Sequence, residues 1–308
     1  YLGGSGTFTI TGSVLWSGGA WGEPTNTGGT TIINPGVTVA LNGDGGDENF
    51  AGYTRYAAFK SSLFLENFAW LAKWVGVPIT SFLKNLFQTT LFDRMYRLTQ
   101  SLAVDYRERY MGFTSYFTNE QKERLYTETF KQKIQGKNTY QLVADQFLQS
   151  GSRNKTEQAV YSDFAMYLPE DLLAKVDIAS MTVALEGRSP FLDHEFLELT
   201  AQIPFDLKLK GLNNKKYILK KALRHLLPHR VLYRPKMGFG VPIDAWFRGE
   251  LRDYAQEKLL QGELISRNLF RKEAIQELFH AHMTTGVNFS PQIWALLTLE
   301  LWFEEYFK

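Results

Sequence analysis

The residues most able to do chemistry lie in one short run, Leu41-Asn42-Gly43-Asp44-Gly45-Gly46-Asp47-Glu48, placed directly after the β-type segment Val37-Thr38-Val39-Ala40-Leu41. A strand, a glycine-rich turn and a helix expected to open at about Asn49 together make an anion site. Glycines let the backbone approach a ligand, and free N–H groups at a helix start favour phosphate. Three carboxylates (Asp44, Asp47 and Glu48) would repel that phosphate unless a cation lies between them, which points to Mg²⁺ bridging to phosphate oxygens. The same residues also fit ordinary helix capping and turn chemistry, and both readings stand at this point. The spacing misses the EF-hand pattern.

Two further sets of residues attract attention. Lys215 and Lys216 are expected in the first turn of a helix over Asn214–Leu227, where a cation opposes the helix dipole. A local anion would explain them, and so would a solvated pair on a lysine-rich helix. Leu219, Leu223 and Leu226 form the expected buried stripe of that helix. Glu186 and Arg188 stand two apart on an extended segment, so their side chains point the same way and can pair. That pair brace a turn or take part in catalysis; either use fits.

The elements that must hold these residues are mainly helical. Apolar residues recur at three and four spacing over Leu63–Val75, Thr118–Lys131, Thr139–Leu148, Pro169–Leu185, Arg248–Leu260, Arg271–His282 and Ser290–Phe307. The helix over Pro169–Leu185 is expected to bury Leu172, Leu173, Val176, Ala179 and Val183. Val37–Leu41 is the one convincing strand feeding this body, so its sheet partners must come from residues 1–36 or from outside the chain. Residues 1–36 have a different texture, rich in Gly, Thr, Asn and Ser with Glu23 as their one charge, and contain short β-type runs such as Phe8-Thr9-Ile10-Thr11. Two loose copies of a Gly-Thr strand unit there resemble a turn of a secreted β-solenoid.

Composition bounds the rest. The 308 residues carry 34 Lys+Arg against 32 Asp+Glu, so no basic excess directs the chain to nucleic acid. With no cysteine, thiol nucleophiles, disulfides and Cys-ligated zinc are excluded. The five histidines do not cluster in a metal pattern. The most apolar stretch, Phe64–Phe87, is interrupted by Glu66, Asn67, Lys73 and Lys84 and reads as amphipathic helices on a core, with no membrane partner expected. The 23 Phe, 15 Tyr and 7 Trp read as helix packing. The first residue is Tyr1 and no signal sequence follows, so a fragment is expected.

The run from Val37 to Tyr56 resembles the second nucleotide loop of the asparagine synthase family (glutamine-hydrolysing type). Leu168-Pro-Glu-Asp-Leu-Leu-Ala-Lys-Val-Asp177-Ile-Ala-Ser180-Met181, continuing through Glu186, Arg188 and Ser-Pro-Phe-Leu-Asp193, is similar to a second family segment. Lys216-Tyr-Ile-Leu-Lys-Lys-Ala-Leu, leading to Arg234-Pro-Lys236-Met-Gly-Phe-Gly, is similar to a third, in the same order. The resemblance implies an α/β fold, an adenine-nucleotide α-hydrolase-like synthetase domain, here mostly its α-helical half over residues 37–308, with a short all-β segment at 1–36 that does not match. It also implies ATP and Mg²⁺, adenylation of the aspartate side-chain carboxylate, and attack of ammonia on β-aspartyl-AMP to give asparagine. Relatives with similar loops act on other carboxylates. Ammonia would come from a glutaminase domain or an intact partner, and the location would be cytoplasmic.

By resemblance, Asn42 and Gly43 border the nucleotide with Gly45 and Gly46. Asp44 and Glu186 sit by the reacting groups, Asp47 holds Mg²⁺–pyrophosphate, Lys216 faces the phosphate, and Asp193 lies at the edge; Lys236 fits either a second phosphate contact or a surface lysine. Three departures are plain. The glutaminase cysteine is missing, so glutamine hydrolysis is not expected of this polypeptide. The family's Ser-Gly-Gly-x-Asp-Ser pyrophosphate loop is also missing; Trp16-Ser17-Gly18-Gly19-Ala20-Trp21-Gly22 imitates only its opening. Asn42 and Asn49 replace a serine and an apolar residue. Losing one oxyanion-type donor costs about 2.7–4 kcal/mol of barrier, so without the cradle no turnover is expected of the chain alone. A scaffold keeping the synthetase shape, or a fragment of a secreted β-solenoid, is the alternative.

Overall fold

The computed structural model describes residues 7–9, 38–87, 90–234 and 240–307. Apart from Thr7–Thr9, the 1–36 segment with its solenoid-like runs lies outside the described residues, and so does Lys236. The described chain is mostly helical with few strands. It divides into two compact units, Tyr1–Ser61 with Gln146–Leu232, and Ser62–Asp145 with Tyr233–Lys308.

The first unit holds a three-stranded sheet. Strand β1 (Thr7–Thr9) pairs antiparallel with β2 (Thr38–Leu41), and β2 pairs parallel with β3 (Glu186–Arg188). Val39 lies opposite Glu186 and Leu41 opposite Arg188. One partner of the central strand thus comes from residues 1–36. The other comes from a short extended stretch 145 positions downstream that is too polar to announce itself as a strand.

A long helical stretch approaches β3, and Pro169 lies within it. The chain is α-helical over Lys155–Ser162, takes a wider π register over Asp163–Leu173, and returns to α over Ala174–Met181. Pro169 therefore does not start a helix as its position suggested. Proline lacks the N–H of an α ladder and crowds the carbonyl four residues back, and the π register rearranges that bonding. The expected buried face is also only partly realised, because Ala179 and Val183 are exposed.

The second unit packs Leu125, Phe247, Leu259, Leu264, Phe270, Ile275, Phe279, Ile293 and Leu296 into one apolar core. Helices Lys272–Thr284 and Ser290–Tyr306 agree with the periodicity. The expected Thr118–Lys131 helix is two, Asn119–Leu125 and Glu128–Ile134, because Thr118 and Thr127 each cap a separate start with their hydroxyls. Helix Arg248–Leu260 likewise splits around Gly249 into Ile243–Arg248 and Arg252–Gln261. The 64–87 stretch is helical, but its large side chains are largely bare: Phe64, Phe68, Trp70, Trp74 and Phe82 are all exposed. Amphipathic packing on a core is not what these residues do.

Candidate functional site

All of the site elements described below belong to the first unit. Because β2 and β3 run parallel, their carboxyl ends finish side by side, and the Gly-Asp loop leaves from that edge. Ligands of parallel sheets bind at such ends. Asn42 continues the ladder by donating its N–H to the Arg188 carbonyl at 2.9 Å. Its side-chain oxygen accepts from the Ser189 hydroxyl at 2.5 Å and from the Asp44 N–H at 3.3 Å. Asn42 thus ties the loop to the residue after β3.

The loop is tight. Gly45 has φ 81°, in the left-handed region, and a Cβ there would lie 2.1 Å from Leu192 Cδ2. Gly46 rests against the Phe191 ring. Among the described residues Gly43 has nothing within 4 Å of where its Cβ would be.

The helix expected at about Asn49 is instead a single turn, Gly46–Asn49, ended by Ala51 at φ 52°. A second helix begins independently at Thr54. One turn sums few peptide dipoles, so little macrodipole stands behind the loop. The capping reading also fails for Asp44: the N-cap is Gly45 and no side chain caps this turn.

The three carboxylates take three different environments. Asp44 is half-buried, and its Oδ2 is buried with no hydrogen-bond partner among the described residues. Burial pushes its carboxyl above the usual range, and the charge of Lys175 pulls it back. Asp47 Oδ1 faces the Lys216 ammonium at 2.8 Å. Glu48, 1% exposed, turns inward and accepts from the Tyr53 hydroxyl at 2.7 Å; burial raises both groups. Glu48 is therefore not beside the other two as a ligand, and no three His, Asp or Glu among the described residues converge on a point. The steric rule of a helical turn explains this, since adjacent residues point in directions about 100° apart.

Lys216 reaches Asp47 from 169 positions away. The expected helix does not include it: Asn214–Lys215 pair with Leu209–Lys210 in a short hairpin, and the helix runs over Tyr217–Leu223 only. Lys216 is the residue before that helix, at φ 53°. A non-glycine residue in this conformation carries about 1–2 kcal/mol of strain. Its N–H donates to the Phe50 carbonyl at 3.1 Å, which anchors the lysine to the loop's own turn. Lys215 diverges and donates to Thr54 Oγ1 at 2.9 Å. The expected Leu219–Leu223–Leu226 stripe is not buried, and Leu226 is exposed. Gly52 closes the arrangement, because a Cβ there would lie 1.8 Å from Asp47 Oδ1 and 2.3 Å from Lys216 Cε.

Glu186 and Arg188 form an ion pair along β3, each about half-exposed. Asp193 caps the helix His194–Ala201 by accepting from the Phe196 N–H at 3.1 Å. Asn49, fully buried, donates to the Phe191 carbonyl at 2.7 Å and accepts from the Thr200 hydroxyl at 2.7 Å. A satisfied buried amide thus stands where an apolar side chain was expected.

A support that no spacing announced lies behind the loop. Asp163 is buried and its Oδ2 accepts from Arg55 Nε and Nη2, at 3.0 and 2.8 Å, and from the Tyr56 hydroxyl at 2.5 Å. The Arg55 guanidinium also lies 3.9 Å from the Tyr53 ring centre and 4.4 Å from that of Tyr167. Tyr53 is the partner of Glu48, so the cluster continues into the loop's single turn. A lone acid in the apolar stretch after Ser162 was the one available signal for Asp163.

Comparison with known proteins gives a consistent picture. Residues 30–304 match the family described as asparagine synthase. The chain is 28% identical over 271 residues to asparagine synthetase [glutamine-hydrolyzing] 1 of Bacillus subtilis, covering 86% of this chain and 40% of that protein. It is 29% identical over 274 residues to a putative asparagine synthetase [glutamine-hydrolyzing] of Mycobacterium bovis, covering 86% and 39%. It is 25% identical over 272 residues to amidase chyE of Penicillium rubens, covering 79% and 38%. The chain therefore spans about two fifths of the length of these relatives. No solved structure matches.

Proposed function

Because this chain belongs to the asparagine synthase family, we propose that its Gly-Asp loop and Lys216 form part of the nucleotide site of an ATP-dependent amide-forming ligase. The reading extends the family's α/β nucleotide-binding fold to the described sheet. The reaction is the adenylation of the aspartate side-chain carboxylate. A carboxylate oxygen bonds to the α-phosphorus as the bond to pyrophosphate breaks; the nitrogen of ammonia then bonds to the acyl carbon and AMP departs with that oxygen. The relatives' names describe them as glutamine-hydrolyzing, and the reading takes the ammonia from glutamine through a glutaminase domain. The setting is the cytoplasm.

The observation that carries this reading is the 2.8 Å approach of Lys216 Nζ to Asp47 Oδ1 at the carboxyl end of two parallel strands. A strained lysine held against a loop carboxylate is a device for presenting positive charge to a ligand. Asp44, with a buried oxygen lacking a partner among the described residues, and Asp47 suit a hard divalent cation. Mg²⁺ held by these two would neutralise charge on the phosphate oxygens.

The chain's own groups divide the remaining work. Lys216 donates to phosphate oxygens as charge develops there, with its ammonium shared between ligand and Asp47. Asn42 and Gly43 border the nucleotide; the bare Gly43 lets backbone approach it. Gly45 and Gly46 shape the turn. Glu186 stays near the reacting carboxyl while paired with Arg188.

Binding is the suitable readout for a chain that spans about two fifths of its relatives' length. Calorimetric titration of the chain with Mg-ATP and with Mg-pyrophosphate is expected to show binding. Losing a charge-assisted contact of about 1.5–3 kcal/mol in Lys216→Ala or Asp47→Asn weakens it by at least tenfold. Silence of the unaltered chain in both titrations refutes the site and favours a scaffold that keeps the synthetase shape.

A further inference from the structure

We propose that the side-chain amine of Lys208 is an acylation site, taking its acyl group from a small carboxylic–phosphoric anhydride such as an acyl phosphate. Lys208 lies in the first unit, at the end of the short helix Phe205–Lys208, and the hairpin strand Leu209–Lys210 follows it directly. The inference stands on the surroundings of this lysine and does not depend on the nucleotide reading.

Lysine is almost never buried unless its ammonium has a partner. Lys208 is 9% exposed, in a segment that also buries Phe205 and Leu209, yet it makes no hydrogen bond or ion pair with any described residue. The nearest acids are engaged elsewhere. Asp206 Oδ1 accepts from Lys60 Nζ at 2.7 Å, and Lys60 also donates to the Leu209 carbonyl at 3.2 Å. Glu157, the opposite charge that acts on Lys208, accepts from the Ser152 hydroxyl at 2.6 Å. The lysines that follow differ: Lys210 donates to Tyr217 Oη at 3.3 Å and Lys215 to Thr54 Oγ1 at 2.9 Å.

The nitrogen is nonetheless reachable. Lys208 Nζ is not among the enclosed polar atoms that lack a partner, so a nitrogen bonded to no described residue must touch solvent. The stem is buried and the tip is bare. Burial disfavours the charged form and holds this ammonium below the ordinary lysine range, while the charge of Glu157 pulls the other way. A desolvated lysine that gives up its proton readily is a nucleophile.

The lone pair of the free amine attacks the acyl carbon of the anhydride. The N–C bond forms as the C–O bond to phosphate breaks; phosphate leaves with that electron pair, and the nitrogen passes its extra proton to water. The amide product carries no charge, which ends the cost of an unpaired, largely buried ammonium. From Leu207 to Ile243 the sequence has no Asp or Glu and includes the exposed Lys210, so an anionic donor meets no repulsion from this segment. With so little of the residue open, a small acyl group is the one that fits.

The test is acetylation of the unaltered chain by acetyl phosphate over a range of pH. Nα-acetyl-lysine in the same solution serves as the reference amine, and modified peptides are quantified by mass spectrometry. Expected is acetylation at Lys208 with a rate that rises at lower pH than that of the reference. Near neutral pH, Lys208 then keeps a severalfold larger share of its high-pH rate than the reference does. In the urea-unfolded chain the two profiles are expected to coincide, because the fold supplies the burial. A folded chain in which Lys208 stays unmodified while Lys210 reacts overturns the proposal. So does a Lys208 profile that coincides with the reference in the folded chain, or one that is shifted equally in urea.

Discussion

Replacing Gly52 by alanine tests whether the Asp47–Lys216 contact shapes the ligand site. The new methyl would lie 1.8 Å from Asp47 Oδ1, 2.8 Å from its Cγ and 2.3 Å from Lys216 Cε. All three distances are far inside van der Waals contact, so both side chains must move. Lysine swings away on a flexible stem, but aspartate has a single rotatable bond before its carboxyl and must change rotamer. Neither Gly52 nor Gly43 has φ in the left-handed region, so the effect at both positions is steric alone. Overpacking of this kind costs about 1–3 kcal/mol. The ion pair, with side chains 30% and 23% exposed, adds no more than about 1 kcal/mol. Gly52→Ala is therefore expected to lower stability by about 1–3 kcal/mol, while Mg-ATP affinity falls at least tenfold. Gly43→Ala meets nothing within 4 Å and is expected to leave stability within about 0.5 kcal/mol. Urea unfolding and calorimetric Mg-ATP titration of the two variants side by side give both quantities. A Gly52→Ala protein that binds Mg-ATP as tightly as the unaltered chain would refute the claim that this pair forms the site.

Three other substitutions probe the frame. Gly45→Ala combines a left-handed φ with a Cβ 2.1 Å from Leu192 Cδ2, and is expected to destabilise by about 2–4 kcal/mol in urea unfolding. Asp163→Ala leaves the Arg55 guanidinium and the buried Tyr56 hydroxyl without their shared acceptor, and a loss of about 3–5 kcal/mol is expected by the same measurement. His282 is fully buried, and burial with the nearby Arg248 charge holds its imidazole below the usual 6.5; the other four histidines are exposed. The unfolded chain then binds a proton that the folded chain does not, so stability is lost as pH falls below 6.5. In His282→Gln this slope is expected to flatten, checked by unfolding at several pH values down to about 5; an unchanged slope would assign it to other groups.

Local pattern carried two helices of the second unit, Lys272–Thr284 and Ser290–Tyr306, because both pack on a core that needs no special chemistry. It failed at Asn214–Leu227, where periodicity alone extended a helix through Asn214 and Lys215. Pairing with Leu209–Lys210 and the strained turn at Lys216 replaced that start. It failed again over residues 64–87, where three-and-four spacing marks an apolar face but does not say whether anything covers it.

Residue order by itself determined that a strand ends in a glycine-rich acidic turn, that no thiol chemistry is available, and that Glu186 and Arg188 can pair along an extended segment. Each follows from backbone geometry over a few positions. Only the tertiary structure decided that Asp47 meets Lys216, that Glu48 turns inward to Tyr53, that Asp44 keeps a buried oxygen without a partner among the described residues, and that Asp163 gathers Arg55 and Tyr56. These contacts join residues up to 169 positions apart, or choose between neighbours by burial. Such choices depend on which surfaces the folded chain removes from water, a quantity no local spacing contains.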